Sequence, residues 1–497
     1  MPPTQRLLLA GTTLTVLLVT LLLVTYSGFW SQSSLEFMPS LNGKDRHFHL
    51  VLPATAATTD LCKLIFSGFV TGYPEPVLLG WEGHGLYNGS ESHLFKISET
   101  LAYLKTLPNS ADDDLVLLLD AYDVWFQLRP DVLITRYFEV MRKANQRLKD
   151  EGIHGKGYYG AKIKQSILFG ADKACWPDDP RRAACWAVPE SPLNDAAFGP
   201  ATDADMILAR PRWLNSGTIL GPARDMRDML NATMYQIQKK FDDGYRFRTS
   251  DQFYFQEMWA EQEVRRTILR EGNVKAPVMG QDEVTGEDIR GHVPNIAHRR
   301  RTEFHVTIDY ETKVFQTSAA YTEFITWMSF NHTTPPDSRY RLGTRLDQTH
   351  LPEDIFKSPS PSAETTDGED DSSNDRSWSD VMLGTNGITK TIFPLFHMTG
   401  DKSYRDRWWP RMWFLPGGQS LLSQAKEGKP STGTSDVVAT VNGVKWRAYQ
   451  HADLFAPNSK VTADGGHGAS RGGAWSDQGA HLSWNDLCAV HEESLFA

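Results

Sequence analysis

The sequence predicts an α/β domain on a mostly parallel sheet, and three observations carry that expectation. Apolar strand-like runs alternate with helical patterns from Phe48 onward. One run, Leu115-Val116-Leu117-Leu118-Leu119, is apolar at every position, as a strand covered on both faces requires. Two carboxylates, Asp120 and Asp123, stand directly after it. Ligands of such sheets bind beyond the carboxyl ends of the strands.

Taken in order, Phe48–Leu52 reads as a short strand ending at Pro53-Ala54-Thr55, and Cys62–Phe69 as a helix. Pro76–Gly80 is a second strand, Lys96–Leu104 a helix and Asp114–Leu119 the third strand. Later, Thr249-Ser250-Asp251 precedes a helical run, and Ile392–Phe396 is an apolar strand leading to His397.

Composition bounds the rest. The 497 residues are 40% hydrophobic and 23% charged, which excludes a fibrous repeat and wholesale disorder. The net charge of −10 argues against a general nucleic-acid binder. Four cysteines cannot form a disulfide scaffold, so a hydrophobic core must hold the fold.

The chain divides into five expected parts. Residues 1–6 read as a cytoplasmic tail, 7–28 as a transmembrane signal-anchor and 29–46 as a stem. The run Leu7–Tyr26 carries no charge, and as a helix it spans about 30 Å, the hydrocarbon core of a bilayer. A cleaved signal would be shorter and end in small residues, whereas this run leads into Tyr26-Ser27-Gly28-Phe29-Trp30. A single-pass type II protein of the Golgi or endoplasmic reticulum membrane, with a lumenal domain, is the expectation. Sequons at Asn88, Asn231 and Asn331 support it mildly. The catalytic domain is placed at 47–416, with a disordered acidic insertion at 358–380. Residues 417–497 read as a partly disordered C-terminal appendage with an ordered end at Trp484–Cys488, which packs back on the domain.

Asp120-Ala121-Tyr122-Asp123 can turn two oxygen ligands toward one hard divalent cation, which can in turn neutralise a diphosphate. The plainer alternative has Asp120 capping a turn and Asp123 solvated. An aspartyl-nucleophile phosphatase would want its second Asp where Tyr122 stands. The segment Asp114–Phe126 resembles the metal-binding stretch of the glycosyltransferase domain in multifunctional procollagen lysyl hydroxylases and procollagen galactosyltransferases. Further segments match in order: Pro53-Ala54-Thr55, Ser166–Asp172 with Cys175–Asp178, Trp213–Gly221, Ser250–Tyr254, Asp309-Tyr310 with Phe315-Gln316, and Phe396–Gly400.

The resemblance implies a GT-A-type nucleotide-sugar fold with a Rossmann-like mixed sheet, and a UDP-sugar as donor. Asp120, Asp123 and His397 would hold Mn²⁺. Pro53, Ala54, Thr55, Lys96, Asp120, Tyr122, Asn215, Ser216, Gly217, Gly400 and Lys402 would meet the nucleotide-sugar. Asp251, with Ser250 before it, would work at the sugar, where the lysyl hydroxylase domains carry two adjacent acids. The activity implied is transfer of glucose or galactose to a hydroxyl of a protein or glycan acceptor. The alternative is a glycosyltransferase-like domain without turnover that binds glycans or partner proteins.

Three features are read more plainly. Cys175 and Cys185 flank a turn and suit a local disulfide in an oxidising lumen; they lack a second pair at zinc spacing. Cys62 and Cys488 pair only if the tail folds back. His451-Ala452-Asp453 is set aside as an iron(II) dioxygenase motif because only 44 residues follow it. For the basic, aromatic stretch Tyr404–Trp413, core packing is the commoner explanation.

Overall fold

The computed structural model describes residues 45–89, 92–281, 285–297, 299–331, 350–361, 377–426, 437–449, 451 and 472–497. The expected anchor and nearly all of the stem lie outside them, as do the centre of the acidic insertion and Asp453. Among the described residues no helix is long and apolar enough to cross a membrane.

The first strand, β1 (Arg46–Pro53), is buried over its last six residues. Helix α1 (Thr59–Thr71) follows; the Thr58 hydroxyl accepts from the Leu61 amide, and Gly72, at φ 82°, ends it in the left-handed conformation. Strand β2 (Val77–Leu79), helix α2 (Phe95–Thr106) and strand β3 (Leu115–Leu119) come next. β3 is buried at every residue, as its unbroken apolar sequence demands. After it come β4 (Val124–Phe126) and helix α3 (Pro130–Asp150), with proline at its start and Arg147 and Lys149 in its last turn. Strands β5 (Ile167–Asp172) and β6 (Trp213–Pro222), helices α4 (Ala223–Lys240) and α5 (Asp251–Glu271), and strands β7 (Val306–Ile308) and β8 (Phe315–Thr317) complete the middle. Last come β9 (Leu395–His397), β10 (Val437–Val441), β11 (Val444–Ala448), β12 (Ala474–Ser476) and β13 (His481–Leu482). Pro394 separates β9 from the residues before it, which splits the single strand expected over Ile392–Phe396.

The central sheet runs β7-β5-β6-β3-β1-β2-β12-β13, with β11 beside the start of β1 and β10 beside β11. β1 is parallel to β2, β3 and β11, β7 to β5, and β12 to β2, whereas β6 lies antiparallel to both β3 and β5. This mixed, largely parallel α/β sheet fits a Rossmann-like fold. Ile97, Leu101 and Leu104 of α2, Met226, Met229 and Leu230 of α4, and Tyr254, Met258 and Trp259 of α5 pack with the sheet in one core.

Two segments can be placed more closely than the sequence allows. The segment after residue 416 does not stand apart: β11 pairs with β1, β12 pairs with β2, and Cys488 is disulfide-bonded to Cys62 of α1. Buried Trp446, Trp484 and Leu495 supply the apolar area that holds the segment to the domain. The ends of the acidic insertion are also ordered. Trp378 is buried beside Leu128 and Val132, its indole N–H donates to Pro359 O at 2.9 Å, and the Ser358 hydroxyl donates to Asp131 at 2.9 Å. A single large apolar ring outweighs its polar neighbours in deciding where Trp378 sits.

Candidate active site

Two strand registers bring the acidic turn and the histidine together. In the β3–β6 ladder Leu119 faces Thr218, and one residue further on the Asp120 amide donates to Gly217 O at 2.8 Å. A separate three-stranded sheet, β8-β9-β4, sets His397 opposite both Thr317 and Val124. There the Met398 amide donates to Asp123 O at 2.7 Å. Asp120, Asp123 and His397 consequently present one ligand atom each within 4.8 Å of one another. His397 Nε2 lies 3.4 Å from Asp123 Oδ1 and 3.8 Å from Asp120 Oδ2. Two carboxylates and an imidazole form a donor set suited to a divalent metal.

Gly217 leaves the room for this convergence. A Cβ there would run into the His397 ring and come within 2.7 Å of Asp120 Oδ2. The glycine is required for close approach, not for an unusual backbone conformation.

Charge is balanced locally. The buried Lys96 ammonium lies 2.6 Å from Asp120 Oδ1 and 2.8 Å from Asp251 Oδ2. Burial works against its charge, but the two carboxylates outweigh that and hold its pKa above the ordinary lysine value. Burial likewise opposes ionisation of Asp251, and Lys96 reverses it, so the Asp251 pKa is lowered. For Asp123, burial is overcome by His397 and by Lys402, whose ammonium lies 2.5 Å from Asp123 Oδ2. For His397, the cost of burial is overcome by Asp123 and then Asp120, which raise its pKa.

The loop after β1 is fixed from the same turn. The Tyr122 hydroxyl accepts from the amides of Thr55 at 2.9 Å and Ala56 at 3.1 Å. Ala54 donates to Leu79 O at 2.9 Å, next to Pro53 at the strand end. Arg405 donates to Tyr122 O at 2.8 Å and pairs with Asp60 of α1. Part of the basic, aromatic stretch therefore braces the loop. Its Trp408, Trp409 and Met412 are buried, in accord with core packing.

On the other side, Asn215 donates to Asp172 Oδ2 at 2.9 Å and accepts from the Gly217 amide at 3.0 Å. The Ser216 amide donates to Gln252 Oε1 at 3.3 Å. Asp172 and Gln252 join the site although the sequence reading did not select them. Asp172 ends the apolar strand β5 much as Asp120 follows β3, and that shared position was the available signal. Asp172 is half-buried, and desolvation pushes its pKa up to about 6, partly countered by Asn215.

Four further positions take their places within this frame. Ser250 occupies the N-cap of α5 without a side-chain capping bond, so Asp251 is the first helical residue and not the cap. Lys402 bonds to Asp123 and to Met398 O at 2.6 Å, which ties it to a candidate metal ligand. Gly400 adopts φ 72° and turns the chain between His397 and Lys402. His451 is buried among the rings of Tyr449, Tyr103 and His49, and burial pushes its pKa down to about 3.

No protein-family model matches the chain. Among curated proteins it is similar to a multifunctional procollagen lysine hydroxylase and glycosyltransferase of Caenorhabditis elegans, 25% identical over 158 residues. The match covers 32% of this chain and 15% of that protein, so the chain spans only a small part of its relative's length. This distant similarity hints at glycosyl transfer. The Asp-Asp-His cluster is consistent with the divalent-metal site of such enzymes.

Two expectations follow. Gly217→Ala should weaken divalent-cation binding by roughly 10–100-fold in calorimetric titration, since it displaces ligands at their support; unchanged affinity would show that the cluster does not hold the ion. Asp172 has a folded pKa above its unfolded value, so the fold favours its neutral form, and stability is lost as pH rises from about 4 through about 6. Denaturant titrations of Asp172→Asn against the unsubstituted protein should show the variant gaining relative stability across that window, by up to roughly 3 kcal/mol. A pH-independent difference would contradict the assigned burial.

Proposed function

We propose that the chain is a Mn²⁺-dependent glycosyltransferase of GT-A type that moves a hexose, glucose or galactose, from a UDP-sugar to a hydroxyl of a protein or glycan. The observation that carries this reading is the convergence of Asp120, Asp123 and His397 beside the Tyr122–Thr55 contact. Those three residues would hold the metal, and the bound ion would neutralise the diphosphate and ease departure of UDP. The Thr55 loop and Tyr122 border the space for the nucleotide, and Gly217 leaves room for His397 and Asp120 to meet.

Asp251 is held ionised by Lys96, so it presents a fixed negative charge to the sugar, where positive charge grows at the anomeric carbon. Asp172, with its higher pKa, is the better proton acceptor toward the incoming hydroxyl at neutral pH. Both belong to one polar group with Asn215, Ser216 and Gln252. Because Ser250 makes no cap bond, its replacement of an acid leaves the Lys96–Asp251–Asp120 arrangement intact, which favours turnover over a binding-only domain.

A membrane-anchored protein with its catalytic domain in the lumen of the Golgi or endoplasmic reticulum is part of the proposal. The uncharged run Leu7–Tyr26 supports it, and so does the pairing of all four cysteines as Cys62–Cys488 and Cys175–Cys185.

The test is a panel of UDP-sugars with the full chain in detergent. Turnover or donor hydrolysis is expected only with Mn²⁺ and only for a hexose donor, and Asp123→Ala should abolish it. Metal-independent turnover, or full activity of the variant, would overturn the assignment.

A further inference from the structure

The C-terminal segment reaches the donor side of the site. β12 pairs in parallel with β2, setting Trp475 opposite Val77 and Ser476 opposite Leu78, and the Asp477 amide donates to Leu78 O at 3.0 Å. Asp477 Oδ2 then accepts from the Gly80 amide at 2.7 Å. Gly80 opens the turn after β2 at φ 66°, and a Cβ there would approach Phe95 Cδ2 within 2.7 Å, so its conformation has little freedom. Two residues on, the Glu82 amide donates to Thr55 O at 3.1 Å, and the Thr55 amide donates to the Tyr122 hydroxyl.

A path of hydrogen bonds joined by the Gly80–Glu82 backbone therefore runs from Asp477 through Thr55 to Tyr122, which lies between Asp120 and Asp123. The same segment grips α1, which follows the Thr55 loop: Cys488 is bonded to Cys62, and His491 Nδ1 lies 3.1 Å from Thr59 Oγ1. Asp477 Oδ1 is buried without a hydrogen-bond partner. A carboxylate half-satisfied in this way does little for folding stability alone.

We propose that Asp477 is a positioning residue for the donor, holding the Gly80 turn so that Thr55 and Tyr122 keep their places around the nucleotide. This rests on the nucleotide-sugar reading above. The C-terminal segment is, on this view, part of the donor site and not only part of the core.

Calorimetry of UDP with Mn²⁺ on the full chain tests it. Asp477→Ala should lower UDP affinity roughly tenfold, the loss of one charge-assisted hydrogen bond. Asp477→Asn, which keeps an acceptor oxygen, should restore affinity to within about threefold. Ser476→Ala removes the acceptor of the Ala480 amide in the same turn without touching Gly80, and should bind UDP as the unsubstituted chain does. In turnover, Asp477→Ala should raise the donor KM and leave kcat in place. Equal UDP affinity in Asp477→Ala overturns the inference, and so does an equal loss in Ser476→Ala. Should Asp477→Ala fail to fold, hydrogen exchange on the unsubstituted chain decides. Coupling is reciprocal, so UDP with Mn²⁺ must slow exchange at the Gly80 and Asp477 amides; unchanged exchange there contradicts the inference. Absence of UDP binding by the unsubstituted chain would instead overturn the functional reading on which the inference stands.

Discussion

The repulsion among Asp120, Asp123 and Asp251 is the constraint around which the site is organised. Asp120 lies beside Asp123 and shares Lys96 with Asp251, and the burial of Asp123 and Asp251 must be offset or their ionisation is suppressed. Lys96 is placed between Asp120 and Asp251, and Lys402 and His397 face Asp123. Removing Lys96 would leave Asp251 buried without its cation, which costs more than the pair itself contributes. The lysine therefore sets the charge state of the residue proposed to act at the sugar, while the imidazole and the two aspartates remain available to a metal.

That convergence is made by backbone pairing more than by side-chain packing. The central sheet fixes Asp120 through β3 and β6, and the smaller β8-β9-β4 sheet fixes Asp123 and His397. A one-residue slip in either ladder would turn the ligands to opposite faces. Gly217 lies where the two meet, and its missing side chain lets the sheets approach. Arg405 adds a brace from the far side by joining Tyr122 O to Asp60 of α1. Neither sheet alone carries the site.

Much of this was legible in the sequence, and the exceptions have physical causes. Asp120 and Asp123 stood out because an unbroken apolar strand precedes them, and His397 because a strand leads into it. Lys96 and Tyr122 are expected only as nucleotide-sugar contacts, through the family resemblance; the Tyr122 contact with the Thr55 loop and the Lys96 bridge to Asp120 and Asp251 are seen only in the structure, since neither residue type is diagnostic in a helix or turn. Asp172 was passed over although it ends β5 as visibly as Asp120 follows β3. The polar, glycine-rich composition after residue 416 suggested an appendage. β10 and β11 flank Asn442-Gly443, both at positive φ, a hairpin signal that was open to reading; β12, three residues long, carries too little periodicity to be seen, and β11 and β12 pair with β1 and β2. Trp378 shows the same limit on a smaller scale: one buried ring places the end of a stretch whose average composition argues for disorder.

Whether Asp120, Asp123 and His397 hold one Mn²⁺ ion is the point on which the rest turns. Pulsed electron paramagnetic resonance of the full chain with Mn²⁺ reads it directly. One tightly bound ion per chain is expected, with nitrogen modulation from a coordinated imidazole that disappears in His397→Ala. A spectrum of hydrated, weakly held Mn²⁺, or nitrogen modulation that survives in His397→Ala, would contradict the assignment.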